Sequence, residues 1–167
     1  MVEAFKNMPD MELYLCGPNS EQGFFDVLGE TIAASQNIHY EGFVQVGGER
    51  FKQLLSMCAF VMFASSSEGC ATSVATAMRG GVVPILNNES GISVGDFGFK
   101  LSGPSEGMIG EIMEVSRRAS SITDEDYRKR AFETLKESLK YTQASFTQTF
   151  STAIIRVLQE REFDQIK

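Results

Sequence analysis

The chain has 167 residues, of which 43% are hydrophobic and 22% charged, a composition that suits one folded domain and excludes a disordered chain. The formal net charge is −7 and the isoelectric point is about 4.8. This acidity argues against a nucleic-acid or anionic-membrane surface, because phosphate groups attract positive charge. No apolar run approaches the roughly 18 residues that span a bilayer.

The three cysteines, Cys16, Cys58 and Cys70, show no C-x-x-C spacing. Cys16 and Cys58 lie in or beside apolar runs, so we expect buried free thiols and a reducing, cytoplasmic compartment. The N-terminus lacks the basic-then-apolar order of a signal peptide. Membrane association, at the inner face, is expected only through a larger parent protein.

The first two thirds of the chain alternate between strand and helix signals. Val2–Lys6 is typical of the end of an amphipathic helix, so the chain is expected to begin inside a domain, after a missing first strand. Apolar runs that end at turn residues predict buried strands at Met11–Cys16, Asn37–Tyr40, Ala59–Ala64 and Val82–Leu86. Segments of helical period predict helices at Ser20–Ala34, Glu49–Met57 and Thr72–Arg79.

The last third predicts helices only, at Ser105–Ser116, from Thr123 onwards and at Phe146–Arg161. The β-α-β-α-β-α-β order before it favours parallel strands joined by helices that return over the sheet. We therefore predict an α/β fold, a Rossmann-like open parallel sheet with helices on both faces.

The segment between the third and fourth predicted strands is typical of a ligand site. It is a polar loop with one carboxylate, Glu68, followed by a helix that begins with small residues. A helix start presents unpaired N–H groups and a positive dipole end, so phosphate is expected on Ala71, Thr72 and Ser73. Small side chains at Gly69, Ala71 and Ser73 let a ligand approach, and Glu68 can accept hydrogen bonds from sugar hydroxyls.

A simpler alternative assigns no ligand to this loop. Serine and threonine commonly end strands and cap helices in any α/β protein. On that interpretation Ser65, Ser66, Ser67, Thr72 and Ser73 have a structural role only.

The segment Ser65–Ile85 resembles the large family of retaining glycosyltransferases with an E-x7-E motif, written roughly S-x-x-E-G-x6-E-A-M-x-x-G-x-P-V-V. Val2–Phe5, Leu13–Gly17 and His39–Val44 are similar to three other segments of that family, in the same order. The resemblance implies that residues 1–167 form a single domain, the C-terminal nucleotide-sugar-binding half of a group 1 (family 4) enzyme with the GT-B fold. The N-terminal, acceptor-binding domain would lie outside the sequence.

The family's roles transfer only to matching positions. The resemblance implies that Gly42, Phe43 and Val44 lie near the nucleotide base, that Glu68 contacts the donor sugar, and that the backbone of Cys70–Ser73 contacts the diphosphate. The candidate catalytic residue is thus Glu68. The candidate donor-binding residues are Gly17, Gly42, Phe43, Val44, Ser67, Gly69, Cys70, Ala71, Thr72, Ser73 and Thr76. Neither a metal nor a cofactor is expected besides the nucleotide-sugar substrate.

The chain departs from the family pattern at two places. Thr76 stands where the family has its second Glu, which accepts the ribose hydroxyls; in a regular helix Glu68, Thr72 and Thr76 would share one face. The Arg and Lys that bind the diphosphate in the family would precede Met1, and Arg50 and Lys52 are expected on a helix surface instead.

Two functional hypotheses follow. In the first, the parent is a hexosyltransferase-like enzyme that moves a sugar, with retention, to a glycan, lipid or other acceptor, and this fragment alone is inactive. In the second, the chain is a catalytically degenerate nucleotide-binding or protein-interaction module.

Three other signals are discounted. Asp96–Gly98 copies a kinase tripeptide but is expected in a turn before a strand. Asp124–Asp126 resembles a metal-binding D-x-D but is expected at a helix start. His39 is expected on a strand rather than at a catalytic position.

Overall fold

The computed structural model describes residues 1–18, 22–103 and 105–164. Strands and helices alternate in it as the sequence predicts, and a fifth short strand follows the fourth. The strands are β1 (Leu13–Cys16), β2 (Ile38–Gly42), β3 (Phe60–Phe63), β4 (Val83–Leu86) and β5 (Phe99–Lys100). The helices are α1 (Val2–Lys6), α2 (Gln22–Ala34), α3 (Glu49–Met57), α4 (Thr72–Met78), α5 (Met108–Ser120), α6 (Asp124–Ser138) and α7 (Gln143–Asp164).

The helix bounds agree closely with the sequence patterns for α3 and α4, whereas α5 ends at Ser120 rather than Ser116 and α7 covers Gln143–Asp164 rather than Phe146–Arg161. The helix predicted from Ser105 begins at Met108, after Gly107 as its N-cap. The start predicted for α2, Ser20, lies outside the described residues. Short 3₁₀ turns at Asn88–Ser90 and Leu139–Tyr141 were not predicted.

All strand pairs described are parallel, which confirms the Rossmann-like α/β class. The strands form two hydrogen-bonded ladders, one of β1 with β2 and one in the order β3-β4-β5. Leu13 pairs with Ile38 in the first ladder, and Phe60 pairs with Val83 in the second. Among the described residues, β1 and β3 are each paired along one edge only.

Both faces of the second ladder are covered by hydrophobic cores. Successive side chains of a strand point to opposite faces, so β3 and β4 contribute to both cores. On β3, Phe60 and Met62 contact one hydrophobic core, whereas Val61 and Phe63 contact the other. The first core also contains side chains of α1, α5, β1 and β2, so the two ladders share it. The second core is centred on α4.

The strand β4 is buried at all four residues, as expected for a strand paired on both sides and covered on both faces. All four residues of β3 are only partly buried. The apolar run of β3 therefore keeps a partly open edge on the side away from β4.

The cysteines differ from expectation in burial. Cys16, Cys58 and Cys70 are free, but Cys16 is exposed and Cys58 half-buried, so the prediction that both are buried is wrong. Cys16 is the last residue of β1, where the strand leaves the sheet at its carboxyl edge.

The last helix, α7, leaves a long apolar surface exposed. Phe146 and Phe150 stack on each other, with 66% and 56% of their surface exposed. Ile154 and Leu158 extend this stripe at helical spacing and are about half exposed. Among the described residues, no helix has the length and apolar run that a bilayer crossing needs.

A buried asparagine ties the start of the chain to the first ladder. The Nδ2 group of Asn37 donates to the carbonyl oxygens of Phe5, Met8 and Met11 at 3.0, 2.9 and 2.8 Å. Only 6% of the Asn37 surface is exposed, so these carbonyls depend on the side chain rather than on water.

We predict that Asn37→Ala lowers the free energy of unfolding by about 2 kcal/mol, because buried carbonyl oxygens lose their donor. Urea denaturation measures the change. The exposed Asn7, whose side chain donates to the Glu3 carbonyl oxygen, is the matched control. Asn7→Ala should cost less than about 0.5 kcal/mol, as surface changes usually do; equal losses would contradict the assigned role.

Candidate functional site

The loop after β3 carries the predicted carboxylate. Glu68 is exposed in this loop, and α4 begins only at Thr72, with Ala71 as the N-cap. Glu68 therefore precedes the helix, as the sequence predicts, and it does not share a helical face with Thr72 and Thr76. Its position is set by loop geometry and not by helical period.

The start of α4 offers fewer free amides than predicted. The N–H of Ala71 donates to the Ser90 carbonyl oxygen at 2.9 Å, so it is not available to a phosphate and this part of the prediction is wrong. The first-turn amides of Thr72 and Ser73 have no intrahelical acceptor, and both residues are exposed. These two amides are the ones that can face an anion.

The capping alternative does not hold for α4. No side chain caps this helix, and its N-cap residue is an alanine. Ser65 does have a local structural role, because its Oγ accepts the Ser67 N–H at 3.2 Å. The hydroxyls of Thr72 and Ser73 thus remain at the surface without a capping role.

Thr76 is half-buried on the second turn of α4. Its Oγ1 donates to the Thr72 carbonyl oxygen at 2.7 Å. The hydroxyl hydrogen is thereby used within the helix, so Thr76 can offer a ligand only an acceptor oxygen. This is a common arrangement for threonine inside a helix.

A turn after β4 holds the loop in place, and only a pair of asparagines marks this turn in the sequence. Asn87, buried to 1% exposure, accepts the Ser65 N–H on Oδ1 at 3.1 Å and donates from Nδ2 to the Ser65 carbonyl oxygen at 2.6 Å. Further along, Gly91 approaches Gly69 so closely that a Cβ on Gly91 would lie 2.3 Å from the Gly69 carbonyl oxygen.

A second group of predicted residues meets at the carboxyl ends of β1 and β2. The N–H of Gly17 donates to the Gly42 carbonyl oxygen at 2.8 Å, and the Tyr40 hydroxyl donates to the Gly17 carbonyl oxygen at 3.0 Å. Gly42 has a φ of 67°, which favours glycine. Phe43 is 77% exposed and Val44 is half-buried in the loop that follows.

A cavity of about 310 Å³ opens beside this second group, with an aromatic wall that was not predicted. The rings of Phe25 and Tyr40 meet edge to face with their centroids 4.9 Å apart. The lining residues are Leu15, Cys16, Gly17, Pro18, Phe24, Phe25 and Tyr40. A larger cavity of about 580 Å³ includes Lys6, Ser35 and Asn37 and lies away from the predicted residues.

The two groups lie at the carboxyl ends of parallel strands, where ligands of such folds bind. Within the described part of the chain, no hydrogen bond joins one group to the other. Glu68 and the start of α4 belong to the second ladder, whereas Gly17, Gly42, Phe43 and Val44 belong to the first. The structure thus brings the predicted residues together in two clusters.

Arg50 and Lys52 lie on the helix surface, as predicted, and each has an acidic partner there. The Arg50 guanidinium pairs with Glu41, and its hydrogen bonds lower the pKa of that carboxyl. Lys52 lies 4.0 Å from Glu49 on the surface of α3. Both side chains belong to surface ion pairs and not to the loop that carries Glu68.

The discounted signals have the expected structural roles. Thr123 caps α6 by accepting the Asp126 N–H at 3.1 Å, and Asp96–Gly98 forms a turn before β5. His39 stacks on Tyr14 in the middle of the first ladder and contacts Glu12. In the described segments, no three His, Cys, Asp or Glu side chains lie together as a metal site requires.

Comparison with known proteins gives structural relatives only. No protein-family model matches the sequence, and no curated protein matches it. Anabaena HepE, crystallised with UDP and glucose, aligns with a TM-score of 0.73 and 17% identity over 92% of this chain and 43% of its own. The pneumococcal O-GlcNAc transferase GtfA, in complex with UDP and GlcNAc, aligns at 0.62 and 16% over 94% and 31%.

A third relative, the lipopolysaccharide outer core galactosyltransferase WaaB, aligns with a TM-score of 0.58 and 14% identity over 92% of this chain and 44% of its own. The chain has the Rossmann-like fold of part of these proteins. It spans less than half the length of each. Structural alignments at such low identity establish the fold alone. The activity has to be argued from the site.

We predict that Gly91→Ala destabilises the protein by more than about 2 kcal/mol, because a left-handed backbone and a clash with Gly69 oppose the new Cβ. The φ of Gly91 is 70°. Thermal denaturation measures the loss.

Gly110 is the matched control, because it lies within α5 and a Cβ there meets nothing within 4 Å. Gly110→Ala should stabilise the protein by about 0.5–1 kcal/mol through its better helix propensity. If Gly91→Ala were no more destabilising than Gly110→Ala, the close approach of Gly91 to the loop would be refuted.

Proposed function

We propose that this chain binds the nucleoside-diphosphate sugar of a retaining glycosyltransferase of group 1. One observation carries the proposal: an exposed carboxylate, Glu68, stands in the loop between β3 and the start of α4, with the exposed amides of Thr72 and Ser73 just after it. A carboxylate and a helix start complement the two chemically different parts of such a donor, its hydroxyls and its diphosphate.

Each group has a defined part in the proposed binding mode. The amides of Thr72 and Ser73 hold the diphosphate, and Glu68 accepts hydrogen bonds from the sugar hydroxyls. The base lies against the loop of Gly42, Phe43 and Val44 and the aromatic cavity beside it. Charge that develops on the departing diphosphate is then stabilised by preorganised dipoles, without a metal.

The catalytic protein is proposed to be larger than this domain. In support, β1 and β3 each keep one edge that no other described strand pairs, although their ladders share one core, which is the arrangement that a strand between them would complete. The structural relatives are more than twice as long as the part that this chain matches. A preceding N-terminal domain would hold the acceptor, so the fragment alone is inactive.

The compartment follows from the same proposal. Free thiols at Cys16, Cys58 and Cys70 suit a reducing cytoplasm, where nucleotide sugars serve as substrates. Contact with the inner face of a membrane, for a lipid acceptor, would be a property of the parent protein.

A degenerate nucleotide-binding module is the alternative, and Thr76 is the observation that favours it. Its hydroxyl hydrogen is bonded to the Thr72 carbonyl oxygen, so a ribose would meet neither a charge nor a free donor there. The two hypotheses differ in whether the bound sugar adds to the affinity for the nucleotide. A substitution of Glu68 tests this difference, because Glu68 is the residue proposed to contact the sugar.

We predict that the chain binds one uridine, guanosine or adenosine diphosphate sugar more tightly than the free diphosphate. Glu68→Gln should weaken binding of that sugar nucleotide about 10- to 100-fold, the value of hydrogen bonds to a charged group, and leave the diphosphate unaffected. Isothermal titration calorimetry measures both. The exposed Glu30 on α2 is the control, and Glu30→Gln should change neither affinity. Equal losses for nucleotide and sugar nucleotide would refute the role of Glu68.

We predict that Thr76→Glu tightens nucleotide binding by about tenfold, because a carboxylate on the second turn of α4 accepts the ribose hydroxyls. Thr152→Glu is the matched control, since Thr152 on α7 is exposed and donates to the Gln148 carbonyl oxygen at 2.8 Å in the same way. Calorimetry should show no gain for that variant. If Thr76→Glu also shows none, the ribose does not lie over α4.

A further inference from the structure

We propose that Asn87 is the positioning residue of the donor site: its buried side chain holds the loop that carries Glu68 in register with the sheet. The proposal rests on the proposed function, because it names the residue through which Glu68 reaches its working position. It concerns a residue on a different strand connection, 22 residues away from the Ser65 it holds.

The side chain of Asn87 continues the parallel ladder beyond its last backbone pair. β3 and β4 pair as far as Phe63 with Leu86, and there the chain after β4 turns into the 3₁₀ turn Asn88–Ser90. The Asn87 carbonyl oxygen accepts bonds from Ser90 within this turn. Its amide side chain then pairs with both the N–H and the carbonyl oxygen of Ser65.

The same turn contacts the loop at two further points. The Ser90 carbonyl oxygen accepts the Ala71 N–H at 2.9 Å, and Gly91 packs on the backbone of Gly69. The exposed residues Ser66–Glu68 thus bridge two anchored points. Ser65 is the anchor on the strand side. Loss of its hydrogen bonds to Asn87 would therefore free the Glu68 carboxylate and leave the start of α4 in place.

The pairing requires an amide of this length. Asn87 presents one acceptor and one donor side by side, which matches the two backbone groups of Ser65. Aspartate keeps the shape and the acceptor but sets a carboxylate against the Ser65 carbonyl oxygen. Leucine keeps the volume and leaves both part-buried backbone groups of Ser65 unpaired, which is costly.

The test compares Asn87→Leu and Asn87→Asp with Asn88→Leu, a change at the exposed asparagine next in the chain. Amide hydrogen exchange, measured by NMR on the whole 167-residue chain, follows the amides of Ser65, Ser67 and Ala71. We expect exchange at Ser65 and Ser67 to accelerate by at least about tenfold in Asn87→Leu and less in Asn87→Asp, as lost buried hydrogen bonds imply. Asn88→Leu should match the wild type.

A merely structural role would accelerate exchange throughout the β3-β4-β5 ladder to the same degree, and that result would overturn the proposal. Unchanged exchange at Ser65 and Ser67 would also overturn it. If Asn87→Leu does not fold, Asn87→Asp decides the question, because it preserves volume and one of the two hydrogen bonds.

Donor affinity supplies the second arm, as a double-mutant cycle with Glu68→Gln. We expect Asn87→Leu to weaken binding of the sugar nucleotide about tenfold while the free diphosphate binds as before, and to add less than about twofold once Glu68 is already Gln. Additive losses would overturn the positioning role. A wild type that binds no sugar nucleotide would refute the proposed function instead, and the exchange rates would still decide whether Asn87 holds the loop.

Discussion

The strand β4 is the constraint on which both the fold and the site depend. Its four residues are buried, it pairs with β3 and β5, and its two faces separate the two hydrophobic cores. A strand in this setting has no freedom to shift, because a slip of one residue would exchange its two faces. The turn that follows β4 is therefore held in a fixed position. The loop after β3 has no core of its own and is held by contacts between its backbone and that turn.

This arrangement explains how an exposed, polar, glycine-containing loop keeps one conformation. Ser66, Ser67, Glu68 and Gly69 bury little apolar surface, so the loop cannot offset its own ordering entropy. Its order comes from neighbours that are already fixed: the Asn87 amide, the Ser90 carbonyl oxygen and the close backbone of Gly91. A carboxylate on such a loop is preorganised at the carboxyl edge of the sheet, where a ligand can reach it, and the helix start next to it contributes a dipole instead of a charge.

Two surfaces of the domain are uncovered in the part of the chain that the structure describes. β1 and β3 hold unpaired edges beside a shared core, and α7 exposes a stripe that begins with Phe146 and Phe150. Uncovered strand edges and contiguous apolar stripes are rare on monomeric domains unless something packs against them. Both features are ones that the proposed larger parent protein would account for, and the structural relatives are more than twice as long as the part that this chain matches.

The sequence by itself determined the parallel α/β class, nearly all of the strands and helices, and the loop that carries Glu68, because apolar runs, turn residues and helical period are local signals. Tertiary structure alone decided the rest. It split the strands into two ladders, exposed Cys16, used the Ala71 amide on Ser90 and brought Asn87 against Ser65. Each of these outcomes depends on which groups meet across long sequence separations, and no local pattern of residues specifies that.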